Sequence, residues 1–220
     1  ESSSLAGQLA EKQAAFDEKA DPEKKQVYEQ GIAEVKQSAL IKNAINVGDK
    51  APDFTLPNAQ GEPVKLYELL EDGPVILNWY RGGWCPYCNL TLRAYQRRLD
   101  EIKSHGATFV AISPEMPDSA LSTKEKADLE FTVLSDKNNR VAKLYNIVFE
   151  LNDKVLTFYN KGADFQSYYE GGADELPLAA TYVIAPDGTV EYAFLDADYR
   201  KRAEPNDVMA VLERLEGSMQ

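Results

Sequence analysis

The sequence predicts an α/β protein: a mixed central sheet flanked by helices, with a helical extension in front of it. Three observations carry this expectation. From residue 47 onward, short β-rich runs alternate with amphipathic segments of helix length. A Pro186-Asp187-Gly188 turn closes a hairpin late in the chain. Residues 2–46 carry helical periodicity and no strand signal. The chain therefore divides into an extension, residues 1–46, and a main domain, residues 47–220. At 220 residues, 44% of them apolar, it is long enough to bury one sizeable core.

In the extension, Leu5, Leu9 and Phe16 form an intermittent apolar stripe that stops at Asp21-Pro22. Asp21 suits the N-cap of a second helix, because its carboxylate accepts from the orphan N–H groups of the first turn. Pro22 suits the first helical position, where no N–H is missed. Val27, Ile32, Val35, Ala39 and Ile41 then continue at roughly helical spacing. Two such helices make a poor core alone. They are expected to pack on the main domain or on a second copy, and a homodimer is predicted on that ground.

The main domain opens with short strands at 53–56 and 63–66, separated by the turn residues Asn58 to Gly61. Pro74 to Tyr80 is a short, mostly apolar run, as a strand buried on both faces would be. It ends at Arg81-Gly82-Gly83, and a helix opens near Pro86 with Leu90, Leu92, Tyr95, Leu99 and Ile102 on its apolar face and Gly106 as terminator. A second buried strand is expected at 107–113, a helix at 117–129, a third strand at 131–134 and a short helix carrying Val141, Leu144 and Tyr145. The hairpin strands are 180–185 and 189–195, and a last helix covers 205–216. Residues 146–179, with Phe149, Phe158, Tyr159, Phe165, Tyr168 and Tyr169, read as an ordered insertion that buries its aromatics; the alternative is a lid or substrate wall.

Composition narrows the function. The net charge of −12 repels phosphate backbones, and the basic residues are scattered apart from Arg97-Arg98 and Arg200-Lys201-Arg202, so nucleic acid is not an expected partner. No apolar run of about 18 residues is present, so no membrane-spanning helix is expected. The first residues, Glu1 to Leu5, show no signal-peptide pattern, and a cytoplasmic location is expected. Two cysteines and one histidine are too few for a structural zinc site, and no cofactor is indicated. A disulfide scaffold is equally excluded for a chain of this size.

Both cysteines lie in Trp84-Cys85-Pro86-Tyr87-Cys88. With Pro86 at the first helical position, Cys85 stands where unsatisfied N–H groups converge and the helix dipole is positive, which stabilises a thiolate. Cys88 lies one turn further on the same face, within bridging reach. One sulfur attacks and the other resolves the mixed disulfide or sulfenic acid. Trp84 would shield the sulfur and offer a flat docking surface, while Gly82-Gly83 would let another backbone approach.

With strand, turn and motif in this order, the chain resembles the peroxiredoxin-like AhpC/TSA (redoxin) group of the thioredoxin superfamily over about residues 47–215. The matching segments are Val47 to Pro57, Leu77 to Arg81, Val110 to Pro114, Val133 to Asp136 and Tyr182 to Gly188. The resemblance implies a thioredoxin-like fold and a peroxidase acting on hydroperoxides. The chain departs from the typical P-x-x-x-T-x-x-C loop: aligned on Cys88, Arg81 takes the proline position and Cys85 the threonine position. That frame makes Cys88 the attacking thiol, whereas the thioredoxin frame makes it Cys85, and the order stays open at this point. Ala179 stands where thioredoxin folds generally carry a cis-proline, with Pro177 two residues earlier. Cys85-Pro86-Tyr87-Cys88 also matches the glutaredoxin motif, a local coincidence because the rest of that pattern is missing from the chain; the expected reductant is a thioredoxin-like protein or glutathione.

Arg81, Arg93 and Arg140 are candidates for steadying a thiolate, Arg81 foremost because it lies four residues before Cys85. His105, near a helix end, reads as structural, and Asp118, Ser119 and Asp136 as cap or turn residues. Glu115 and Glu125 carry no specific signal. The functional expectation is a peroxiredoxin-like enzyme that reduces hydroperoxides through a Cys85/Cys88 dithiol–disulfide cycle. The alternatives are a thioredoxin-type protein disulfide oxidoreductase and a non-enzymatic redox-sensing interaction domain.

Overall fold

Two amphipathic helices lead the chain because their caps and stripes fall where the periodicity places them. In the computed structural model, which describes residues 4–162 and 164–218, these are α1 (Leu5–Lys19) and α2 (Pro22–Gln37), followed by the short α3 (Leu40–Asn43). Asp21 caps α2 by accepting from Glu23 N at 2.9 Å, and Pro22 occupies its first position. Leu5 and Leu9 are buried against the helix that follows the cysteine motif, Pro86–Arg97, and burying a leucine contributes about 1.5–3 kcal/mol. The extension thus packs on its own chain.

The main domain runs β1 (Thr55–Pro57), β2 (Pro63–Lys65), α4 (Leu66–Leu69), β3 (Val75–Trp79), α5 (Pro86–Arg97), α6 (Leu99–Ser104), β4 (Thr108–Ser113), α7 (Pro117–Lys126), β5 (Thr132–Ser135) and α8 (Arg140–Leu144). It continues through β6 (Val148–Glu150), α9 (Asp153–Gly162), β7 (Glu175–Pro177), β8 (Thr181–Ile184), β9 (Val190–Phe194) and α10 (Pro205–Ser218). The central sheet has the order β5-β4-β3-β8-β9, with β3, β4 and β5 parallel and β8 and β9 antiparallel. This is the mixed sheet of a thioredoxin-like fold.

Strand alternation divides the core between two faces. Ile76, Phe109, Ala111, Val133 and Val183 face α1, α5, α6 and α10. Val75, Leu77, Trp79, Val110, Ile112, Tyr182 and Ile184 face the opposite side, against Phe54, Leu66, Val141 and Tyr145. The β8–β9 hairpin turns through Gly188 at φ +88°, where a Cβ would meet the Tyr67 hydroxyl at 2.5 Å; both the turn and the close approach require glycine.

Several boundaries differ from expectation. The helix after Pro86 is two helices, since Arg98 leaves helical geometry (φ −105°, ψ 9°) with its side chain held by Glu101 and Asn206. The helix expected to reach 129 ends at Lys126, because Asp128 takes a left-handed conformation (φ +53°) that turns Leu129 into the core. The last helix runs on to Ser218. No cis peptide bond occurs among the described residues, so Ala179 and Pro177 supply no cis-proline; Pro177 pairs with Val148 in the β6–β7 ladder.

The described residues of the insertion, 146–162 and 164–179, hold β6, α9, a 3-10 turn at Phe165–Tyr168 and β7. Val155, Tyr159, Phe165, Tyr169 and Leu176 bury together with Val27 of α2, joining insertion and extension. That cluster also touches Trp84, so the insertion walls the cysteine motif as well as burying its own rings.

Candidate active site

Strand β3 ends inside the core, and the chain passes through Tyr80 and Arg81, both buried, before turning into α5. Cys85 is the N-cap residue of α5 (φ −87°, ψ 111°) and Pro86 its first helical residue. The turn is closed by Cys85 N–H donating to the Gly82 carbonyl at 3.1 Å and by Asn89 Nδ2 donating to the Gly83 carbonyl at 2.8 Å. Both cysteines are free thiols and almost fully buried. The two thiols are near enough to influence one another's titration.

Their environments differ. Arg202 Nη2 lies 3.2 Å from Cys88 Sγ and 4.0 Å from Cys85 Sγ. The Arg81 backbone N–H donates to Cys88 Sγ at 3.4 Å. Arg202 is itself held by the Tyr199 carbonyl on Nε at 2.7 Å and by Thr91 Oγ1 on Nη1 at 3.2 Å. Burial pushes the Cys88 thiol up, but the neighbouring Cys85 thiol, the charges of Arg202 and Arg81, and the Arg81 N–H together hold it well below the usual thiol range. For Cys85, burial and the neighbouring Cys88 push the thiol well up. Of the two sulfurs, Cys88 is thus the one nearer the guanidinium of Arg202.

Arg81 is wholly buried and donates from Nη2 to the Tyr159 hydroxyl at 2.7 Å. Its guanidinium lies over Tyr199, 4.2 Å from the ring centre, and 5.0 Å from that of Trp84. Trp84 is half-buried against Tyr159 and Phe165. Its Nε1–H donates to Tyr169 Oη at 2.7 Å, and that hydroxyl donates on to the Arg81 carbonyl at 2.6 Å. Trp84 thus ties the insertion to the motif, and it also lines the cleft at Cys85. The glycine pair likewise accommodates side chains, not a second backbone: a Cβ on Gly83 would meet Thr123 Oγ1 at 2.3 Å and Glu115 Oε1 at 3.3 Å.

Glu115, which carries no sequence signal, lies buried beneath this turn. It accepts from Gly83 N–H, from Tyr80 Oη at 2.8 Å and from Thr123 Oγ1 at 3.3 Å. Burial raises its pKa. Replacing Glu115 by alanine strands the Tyr80 hydroxyl and the Gly83 N–H, so the variant is expected to lose about 3 kcal/mol, at about 1–3 kcal/mol per unsatisfied group. Urea unfolding of the reduced protein measures this, and a loss under about 0.5 kcal/mol would refute the clamp.

Of the other candidates, Arg93 is exposed and Arg140 donates to the Thr55 carbonyl at 3.2 Å, so neither reaches the sulfurs. His105 pairs with Glu216 at 3.1 Å. Asp136 caps α8 by accepting from Val141 and Ala142 N–H, whereas Asp118 and Ser119 lie in the first turns of α7, which has no side-chain cap. Arg202 was the residue missed. Its only signal was the Arg200-Lys201-Arg202 run in an acidic chain; Arg200 in that run pairs with Asp198 and with Glu29 of α2. Among the described residues, no group of three or more His, Cys, Asp or Glu side chains is arranged to hold a metal ion, and no helix is long and apolar enough to cross a membrane.

A thioredoxin-like sheet with a Cys-x-x-Cys pair at its strand–helix junction, one sulfur facing a buried guanidinium, defines a thiol oxidoreductase. Comparison with known proteins narrows the class: residues 47–193 match the AhpC/TSA family. A putative peroxiredoxin bcp of Coxiella burnetii is 34% identical over 109 residues, covering 50% of this chain and 72% of the relative. Peroxiredoxin Bcp of Escherichia coli K12 is 28% identical over 154 residues, covering 70% and 88%. The crystal structure of peroxidoxin BcpB from Mycobacterium tuberculosis superposes with a TM-score of 0.61 at 24% identity, over 77% of this chain and 97% of that one. The chain belongs to the AhpC/TSA family and is a thiol-dependent peroxidase of the peroxiredoxin type.

Proposed function

We propose that Cys88 is the thiolate that attacks the hydroperoxide and that Cys85 resolves it. The observation that carries this reading is Arg202 Nη2, at 3.2 Å from Cys88 and 4.0 Å from Cys85. The Cys88 thiolate attacks the distal peroxide oxygen. The O–O bond breaks, the leaving alkoxide or hydroxide takes a proton, and Cys88 becomes a sulfenic acid. Cys85 then gives up its proton and attacks the Cys88 sulfur, releasing water and forming the Cys85–Cys88 disulfide. A thiol reductant returns two electrons. Cys85 lines a cleft of about 210 Å³ and Cys88 does not, so the reductant meets Cys85, and the lower-pKa Cys88 leaves as thiolate. A thioredoxin-like protein or glutathione fits that role, in a reducing cytoplasmic compartment.

One equivalent of peroxide given to the reduced protein is expected to consume both thiols and to yield an intramolecular disulfide by mass spectrometry. Thiols that survive stoichiometric peroxide for hours would overturn the reading. Because Cys88 is held below the usual thiol range, its alkylation by iodoacetamide should remain rapid well below pH 8.5, about where free cysteine titrates, and fall only at acid pH. A rate that titrates near 8.5 would contradict it.

The homodimer expected from the helix pair loses that motive, since Leu5, Leu9, Val27 and Val35 are buried on their own chain. Light scattering of the chain with and without residues 1–45 tests for one.

A further inference from the structure

Between α2, α3 and the insertion lies a cavity of about 670 Å³, within the roughly 300–1,000 Å³ of small-molecule sites. Ile32, Val35, Leu40, Val148, Phe149 and Val155 supply an apolar wall. The acids that line it, Glu34 and Glu150, are exposed and so lie at its mouth. Two cations also line it, and they differ. Lys143 is paired with Glu175 at 2.6 Å. Arg81 is buried, and among the described residues no carboxylate lies within ion-pair distance of it. Its Nη2 is taken by Tyr159, and its Nε has no partner.

A buried guanidinium with an idle N–H is costly unless an anion meets it, and a carboxylate matches its fork. We propose that this cavity binds an amphipathic monocarboxylate, with the chain along α2 and the insertion and the carboxylate on Arg81. Arg81, Tyr28, Tyr159 and Tyr199 also form part of the cleft on Cys85, so the two spaces share a wall. An anion on Arg81 offsets positive charge that favours the Cys88 thiolate, so the ligand slows the peroxide step. Binding stands independently of the cysteine roles; the effect on rate rests on the assignment of Cys88.

The test titrates the reduced full chain with decanoate by calorimetry, beside 1-decanol and decyltrimethylammonium. Saturable decanoate binding is expected, at least about tenfold tighter than decanol, with no binding of the ammonium. No saturable binding, or equal binding of the alcohol, overturns the proposal. Ile32→Trp with Val148→Trp fills the cavity away from the sulfurs. It is expected to weaken decanoate by about tenfold or more while turnover without ligand is unchanged; wild-type affinity in a folded double variant overturns the site. Saturating decanoate should also slow Cys88 alkylation at neutral pH several-fold. Alkylation that stays unchanged while decanoate binds overturns the placement of the carboxylate on Arg81.

Discussion

Cys88→Ser is expected to reduce the rate of hydroperoxide consumption by about 1,000-fold or more, the scale on which loss of an attacking nucleophile acts. Cys85→Ser is expected to keep the first turnover and to lose the second. The expected asymmetry follows from charge, since the Arg202 guanidinium and the Arg81 N–H meet Cys88, whereas burial pushes the Cys85 thiol up. In the Cys85→Ser protein, the sulfenic acid formed on Cys88 has no resolving thiol beside it and should accumulate, trapped by a dimedone-type probe after a single equivalent of peroxide. Neither variant should unfold, because serine replaces a small buried side chain without a change of backbone. The opposite pattern, with sulfenic acid on Cys85 in the Cys88→Ser protein, would assign attack to the thioredoxin-type sulfur and reverse the mechanism.

Much of the frame was legible because local rules and tertiary packing agree. The run from Val75 to Trp79 reads as a doubly buried strand and is one, since both faces of β3 are covered by helices. Asp21-Pro22 starts a helix, and Pro186-Asp187-Gly188 turns a hairpin, because each depends only on neighbouring backbone groups. The cysteine pair was legible by spacing alone. What distinguishes the two sulfurs was not, because Arg202 stands 114 residues beyond Cys88 in the loop before α10, oriented by the Tyr199 carbonyl. Glu115 escaped for a similar reason: a glutamate after a strand ordinarily reads as a solvated charge, and only the approach of Gly83 and Tyr80 makes it a clamp. The insertion showed its aromatic content but not its partner. Trp84 and α2 complete its cluster from segments tens of residues away.

Arg202→Met removes the charge facing Cys88 while keeping an unbranched chain of similar reach, and it is expected to slow peroxide reduction by about 100–1,000-fold, as loss of a preorganised donor does. The cause is separable from a structural defect by its pH signature. In the wild type, Cys88 is depressed by Cys85, Arg202 and Arg81 together against the opposing effect of burial. With Arg202 gone, burial weighs more heavily and the thiol titrates at higher pH, so raising the pH should recover part of the lost rate. Thermodynamic linkage gives the same sign. A thiol depressed in the folded state contributes stability fully present above its unfolded value, about 8.5, and lost as pH falls through the folded value; Arg202→Met should flatten that dependence for the reduced protein. Arg202→Lys keeps a positive charge but not the fork that joins the Tyr199 carbonyl, Thr91 and the sulfur, so it should restore the pH profile in part and the rate incompletely. A pH profile that is unmoved in Arg202→Met, measured as iodoacetamide reactivity against pH, would mean that Arg202 orders the loop without setting the thiolate. The depression of Cys88 would then rest on Cys85, on the Arg81 side chain and on the Arg81 N–H at 3.4 Å.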